Sequence, residues 1–261
     1  MKIGISTASL YPLETEKALE FLCQNGIPVT EIFFNSPSEM DPSFVKGLNS
    51  LAKTYGVEIA SVHPCGSVGE PYFLFSGYER RYKESLDFYK RYYQAAEIMG
   101  AKYVVLHGDS LAGHISDEEY CYRLMEMNEM SKQFGVCVCH ENVNKFRLST
   151  PENIKKFKTL SDGKLKFTFD VKQSIRAGFT VDEIYNAMGG NIVHVHISDN
   201  NAQNDCMLPG NGEFDFGSLF AKMQKDGYDG ACLIEVYQHA YSDVSELVDS
   251  YDFVTKIHKM C

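Results

Sequence analysis

The chain has 261 residues, 44% of them hydrophobic, with 25 Lys and Arg against 35 Asp and Glu for a formal net charge of −10. That hydrophobic fraction excludes a disordered chain, and the length fits either two small domains or one barrel-sized domain around a large core. The acidic surplus argues against a protein that grips phosphate backbones or anionic membranes, where Lys and Arg supply the affinity.

The first residues, MKIGISTASLYP, carry one Lys before a short apolar run that reads as a strand, not as the longer apolar core of a secretory signal. No stretch approaches the roughly 18 apolar residues that span a bilayer. Eight cysteines without a CxxC pair or regular spacing read as reduced thiols. A cytoplasmic protein with no membrane partner is expected.

Along the chain, short β-rich runs alternate with longer amphipathic stretches. The strand candidates are KIGIS (2–6), VTEIFF (29–34), VEIASVH (57–63), YVVLH (103–107), VCVCHE (136–141), LKFTFD (165–170), IVHVHIS (192–198) and ACLIEVY (231–237). The stretches between them read as helices, many ended by glycine, such as Gly56, Gly100 and Gly135. Ser116, Thr150 and Thr180 are N-cap candidates, and Glu119 stands three residues after Ser116 as in a capping box. Strict alternation implies parallel strands, and eight units at this length predict a single (β/α)8 TIM barrel over residues 1–261. An open doubly wound sheet is the alternative. It usually carries a Gly-rich phosphate loop after the first strand, where this chain reads STASLYPLE without a glycine.

Such a barrel places its active site at the C-terminal ends of its strands. Strands three to seven end on His63, His107, Glu141, Asp170 and His196, and strand eight carries Glu235. Six consecutive strands therefore deliver an imidazole or a carboxylate to one rim. Glu141, Asp170, His196 and Glu235 form an oxygen-rich ligand set for one divalent ion, with Mn²⁺ favoured and Zn²⁺, Co²⁺ and Mg²⁺ as alternatives.

These residues also resemble a known family. The runs HENV (140–143), FDVKQ (169–173), HVHISDN (194–200), PGNGEFDF (209–216) and IEVY (234–237) are similar to those of the xylose-isomerase-like TIM barrels. That superfamily contains sugar-phosphate isomerases and epimerases, ketose 3-epimerases, inosose dehydratases and endonuclease IV. The resemblance implies that Glu141, Asp170, His196 and Glu235 hold the metal, and that Glu141 and Glu235 are also the proton-transferring pair. His63 and His107 match histidines with which the endonuclease holds an additional zinc, so they stand here either as substrate ligands or as a second metal position. The family's DxxH reads DVKQ, putting Gln173 in place of a histidine, and its later Asp-x-His reads Asp205-Cys206-Met207. Losing two of three ligands removes a third metal position and, with the acidic charge, argues against cleavage of abasic DNA.

The expected activity is isomerisation or epimerisation of a small keto-sugar or polyol through an enediolate, with a carbohydrate and no nucleic acid as partner. An inosose-dehydratase-like lyase on the same metal site is the runner-up. A non-catalytic sugar-binding or complex-forming barrel is the third reading, disfavoured by retention of all four ligands. Family resemblance alone favours a homodimer. Gln173 and Lys172 are further substrate-binding candidates, although strand alternation turns Lys172 off the barrel axis unless the strand has ended. Asp199 is expected to orient a ligand histidine. His194, on the parity of His196 but deeper, is expected as a hydrogen-bonded core residue, and His140 as an outward structural one. The segment 64–81 is long for a βα loop and reads as a lid in which Tyr72, Phe73 and Phe75 close over a sugar.

Overall fold

Each run expected as a strand forms one in the computed structural model, which describes residues 1–66 and 68–261; Ser67, within the expected lid segment, lies outside the described residues. The strands are β1 (Lys2–Ser6), β2 (Val29–Phe34), β3 (Glu58–Pro64), β4 (Tyr103–Leu106), β5 (Cys137–Glu141), β6 (Lys166–Asp170), β7 (Ile192–Ile197) and β8 (Ala231–Ile234). All pair in parallel with the next in sequence, and β8 returns to β1 to close the barrel.

Around them run α1 (Thr15–Gln24), α2 (Pro42–Tyr55), a short α3 (Glu70–Phe73), α4 (Glu79–Met99), α5 (Asp117–Lys132), α6 (Pro151–Leu160), a short α7 (Val171–Arg176), α8 (Val181–Met188), α9 (Phe216–Lys225) and α10 (Ser245–His258). Their starts follow the expected caps. The Thr150 hydroxyl accepts from Asn153 N–H, and Thr180 and Glu183 form a reciprocal capping box. Ser116 caps α5 through Glu119 N–H, but the Glu119 carboxylate pairs with Arg123 and does not turn back, so that box is half-formed. The tyrosine-rich α4 buries Tyr82, Tyr89, Tyr92 and Tyr93 against the barrel, as the helical spacing of these rings requires. All eight cysteines are free thiols. No helix among the described residues is long and apolar enough to cross a membrane.

The barrel interior changes character along its axis. Inside it, Val29, Ala60, Ala231 and Leu233 form a small apolar cluster separate from the main core. Alternation also brings Ser6, Glu31, Ser61 and His194 inward, all fully buried. A register shift in the β2–β3 pairing sets Glu31 opposite Ser61 and Phe33 opposite His63. The top layer holds the rim residues, with Asp170 level with His196 across β6 and β7. The polar group around Glu31 lies directly beneath the rim, bonded to His196.

Candidate metal centre and active site

The rim residues converge from four strands. His196 Nδ1 lies 3.6 Å from Glu141 Oε1, 3.9 Å from Asp170 Oδ2 and 3.5 Å from Glu235 Oε2. One donor atom from each of these four residues lies within 4.8 Å of every other, the spread expected of atoms sharing one cation. Asp170 Oδ2 and His196 Nδ1 are buried and have no hydrogen-bond partner, although nearly all buried polar atoms find one. The quartet therefore fits a divalent ion by donor type, convergence and unmet bonding capacity.

Each glutamate shows its second oxygen to the histidines. Glu141 Oε2 is 3.9 Å from His63 Nε2 and 3.7 Å from His107 Nε2, and Glu235 Oε1 is 3.9 Å from His63 Nε2. His63 donates Nδ1–H to the Pro64 carbonyl at 3.0 Å, which turns Nε2 toward the glutamates. His63, His107 and Glu141 thus form a second group of metal-ligand type sharing Glu141 with the first.

Two carboxylates that the sequence reading missed hold these imidazoles. Glu31, in the middle of β2, accepts from Ser6 Oγ at 2.9 Å, Ser61 Oγ at 2.7 Å and His194 Nε2 at 3.1 Å. Its Oε1 also faces His196 Nε2 at 3.3 Å. His196 consequently carries its proton on Nε2 and aims Nδ1 at the quartet, the carboxylate–histidine arrangement that tunes metal ligands. Glu70 on α3 does the same for His107, accepting from Nδ1 at 3.1 Å, from Tyr89 Oη at 2.9 Å and from Gly108 N–H at 2.7 Å. A lone acid inside the apolar run VTEIFF was the available signal for Glu31. Glu70, in a segment whose sequence reads as a loop, had none.

The electrostatics describe a rim short of positive charge. Burial and the neighbouring Glu141 and Glu235 carboxylates push Asp170 up to about 7, against the pull of Lys172. Burial disfavours charge on His107, but Glu70, Glu141 and Glu235 outweigh it and raise its pKa to about 9. Burial opposes ionisation of Glu235, and Lys172 and His196 overcome it, holding its carboxyl below the usual range.

A model of the xylose isomerase-like TIM barrel family matches residues 19–257. The chain belongs to that family. Fructoselysine 3-epimerase of Escherichia coli O157:H7 is 24% identical over 250 residues, covering 90% of each chain. The structure of a D-tagatose 3-epimerase-like protein superposes with a TM-score of 0.81 at 23% identity, covering 100% of this chain and 98% of that one. The IOLI protein with a binding zinc atom superposes at 0.78 and 17% identity, covering 100% and 99%.

Outside the quartet, this xylose isomerase-like barrel differs from several expectations. β6 ends at Asp170 and α7 starts at once, with Asp170 Oδ1 accepting from Gln173 N–H at 2.8 Å as its N-cap. That turn swings Lys172 inward, where its buried ammonium hydrogen-bonds Glu235 Oε2 at 2.9 Å and lies 3.2 Å from Asp170 Oδ2, off the hydrogen-bond direction. Gln173 is half-buried, and its side-chain carbonyl accepts from Asn144 N–H at 3.1 Å. Asp205 is bound by Arg176, and Met207 pairs with Asp199 through backbone, so neither joins a metal-type group among the described residues.

Asp199 does not orient a ligand histidine. Its oxygens accept from the N–H groups of Asn200, Gly210, Gly212 and Phe214 at 2.8–3.0 Å, folding the PGNGEF loop around the carboxylate; the carboxylate that contacts His196 Nε2 is that of Glu31. The loop comes so close that a Cβ on Gly212 would stand 2.4 Å from Asp199 Oδ1. His194 is a bonded core residue as expected, and His140 is buried on the outer side of β5. Of the expected lid residues, Phe75 is only 1% exposed and packs on the Tyr120 ring at 4.9 Å, so it belongs to the core. Tyr72 and Phe73 are exposed. Tyr72 stacks under Arg81 at 3.7 Å, and Phe73 lines a side cavity of about 440 Å³ with Glu70, Tyr89 and Tyr92, none of them a quartet member.

Proposed function

We propose that this protein is a divalent-metal-dependent isomerase or epimerase of a small keto-sugar or polyol, with Glu141 and Glu235 as its proton-transfer pair. The observation that carries the reading is the double presentation of these glutamates. Each offers one oxygen to the quartet and the other to a common point beside His63. Two carboxylates that share an ion-sized site and flank the same space suit removal of a proton next to a carbonyl and its return elsewhere. The names of the epimerase relatives support the same class.

Glu141, Asp170, His196 and Glu235 would hold the ion, whose contribution is Lewis-acid stabilisation of the oxyanion that proton removal creates. One glutamate takes the proton, and either it or its opposite number gives one back; return to the opposite face inverts the centre, and return to the neighbouring carbon isomerises. His63 and His107 present Nε2 toward substrate oxygens, fixed in that orientation by Pro64 and Glu70. Gln173, with its carbonyl committed to Asn144, offers its amide N–H groups. A second ion on His63, His107 and Glu141 is the alternative role for the two histidines, supported by the clustering of their donor atoms.

The test is solvent-deuterium incorporation into a panel of ketoses by protein of known metal content. Glu141→Gln and Glu235→Gln each lower the exchange rate by a factor of about 10² or more, the usual worth of a positioned acid or base. Exchange that survives both substitutions refutes the assignment.

A further inference from the structure

Among the described residues, Lys172 is the lysine or arginine that pairs with carboxylates of the quartet. Its ammonium touches Asp170 Oδ2 and Glu235 Oε2, the same two oxygens that stand 3.9 and 3.5 Å from His196 Nδ1. The two oxygens thus stand within 4 Å of both the ammonium and the imidazole. Lys172 is buried, its stem fixed in the first turn of α7 and its Nζ 5.1 Å from the centre of the Tyr237 ring. It has no alternative carboxylate partner among the described residues. The quartet to which these two oxygens belong contains three carboxylates, Glu141, Asp170 and Glu235, which carry three negative charges when all are ionised around an ion. A divalent ion together with one ammonium balances that charge; a divalent ion alone leaves one negative charge in excess.

Building on the metal-binding reading above, we propose that Lys172 is a built-in competitor of the metal, lowering the affinity of the quartet for a divalent ion in exchange for a charge-neutral centre. The physical basis is direct. A cation sharing ligand oxygens with a metal repels it and withdraws electron density from the donors, and in a buried site water screens this poorly. A neutral centre also accepts the negative charge of an enediolate more readily than one already in anionic excess. Lys172 is in this sense a positioning and charge-setting residue acting through Asp170 and Glu235.

The sign of the effect separates this role from a structural one. Disturbing a supporting side chain loosens a metal site; removing a competitor tightens it. Mn²⁺ affinity is measured by equilibrium competition with a chelating dye for the wild-type chain, Lys172→Met, Lys172→Gln and Lys172→Arg, with folding of each followed by circular dichroism. Lys172→Met and Lys172→Gln bind Mn²⁺ at least tenfold more tightly than wild type, and Lys172→Arg, which keeps the charge, stays within about threefold. Wild type that binds while both neutral variants bind equally or more weakly overturns the proposal, and so does tightening in Lys172→Met that Lys172→Gln does not share. Should Lys172→Met fail to fold, the Gln and Arg variants decide it. Absence of Mn²⁺ binding by every protein, wild type included, refutes the metal reading itself.

Discussion

Replacing Glu31 by Gln tests whether the polar layer beneath the rim controls the metal. The carboxylate receives two hydroxyls and two imidazoles on its two oxygens, and it is fully buried. An amide of the same shape offers one acceptor oxygen, so whichever way it turns, one side now faces its donors with an N–H. The serine hydroxyls can rotate to accept. A histidine proton aimed at an amide N–H cannot, and a buried unsatisfied donor costs about 1–3 kcal/mol. If His196 is the loser, its Nε2–H partner is gone, its ring is less firmly oriented and Nδ1 becomes a poorer donor. Losses of 10–100-fold in metal affinity are typical for such partners, or about 1.4–2.8 kcal/mol at 1.4 kcal/mol per tenfold. Chelator competition with Mn²⁺ at pH 7.5 measures this directly, and urea unfolding without metal reports the fold separately. Glu31→Gln affinity within twofold of wild type would refute the claim that Glu31 fixes the ligand state of His196.

Two further outcomes concern stability. Asp199→Ala strips four backbone N–H groups of their acceptor and lowers unfolding free energy by roughly 3 kcal/mol, while Mn²⁺ affinity changes by less than about threefold because Asp199 contacts no ligand; a selective loss of metal with unchanged stability contradicts the loop role. His140 has no hydrogen-bond partner on either nitrogen, and burial pushes its pKa from 6.5 down to about 3. The folded chain therefore resists protonation that the unfolded chain accepts, so stability is complete above pH 6.5 and is lost as pH falls toward 3. By pH 5 this loss is about 2 kcal/mol. His140→Phe removes it, and urea midpoints at pH 7 and pH 5 show a correspondingly smaller drop; an identical drop in both proteins rules the explanation out.

The barrel and the quartet were legible because both rest on local regularities. Apolar runs bounded by glycine fix the strands, and counting along each run reaches Glu141 and Asp170 at its end and His196 and Glu235 two positions before it, without any knowledge of which strand neighbours which. The support of those residues is not local. Glu31 meets His196 from 165 positions away, and only the closed strand order makes them neighbours in one interior layer. The run LKFTFDVKQSIRAG conceals where β6 stops, so Lys172 could be assigned to either side of the sheet; the Asp170 cap, which starts a helix one residue later, decides it. Asp199 was misread for the opposite reason. Its nearness to His196 in sequence suggested a partnership, whereas the backbone of the PGNGEF loop claims both its oxygens. Phe75 looked like its neighbours Tyr72 and Phe73 in composition, yet the chain turns between them and sends it into the core.

Asp170 performs two tasks with its two oxygens, one facing the ion-sized centre and the other closing the first turn of α7. The carboxylate is thereby anchored by the backbone of the peptide that follows it, independently of what side chains that peptide carries. Positions 172 and 173 can then change identity while the oxygen next door stays where it is. The tetrapeptide DVKQ thus separates what holds the Asp170 carboxylate, a backbone N–H, from what lines the space beside it, the side chains at 172 and 173.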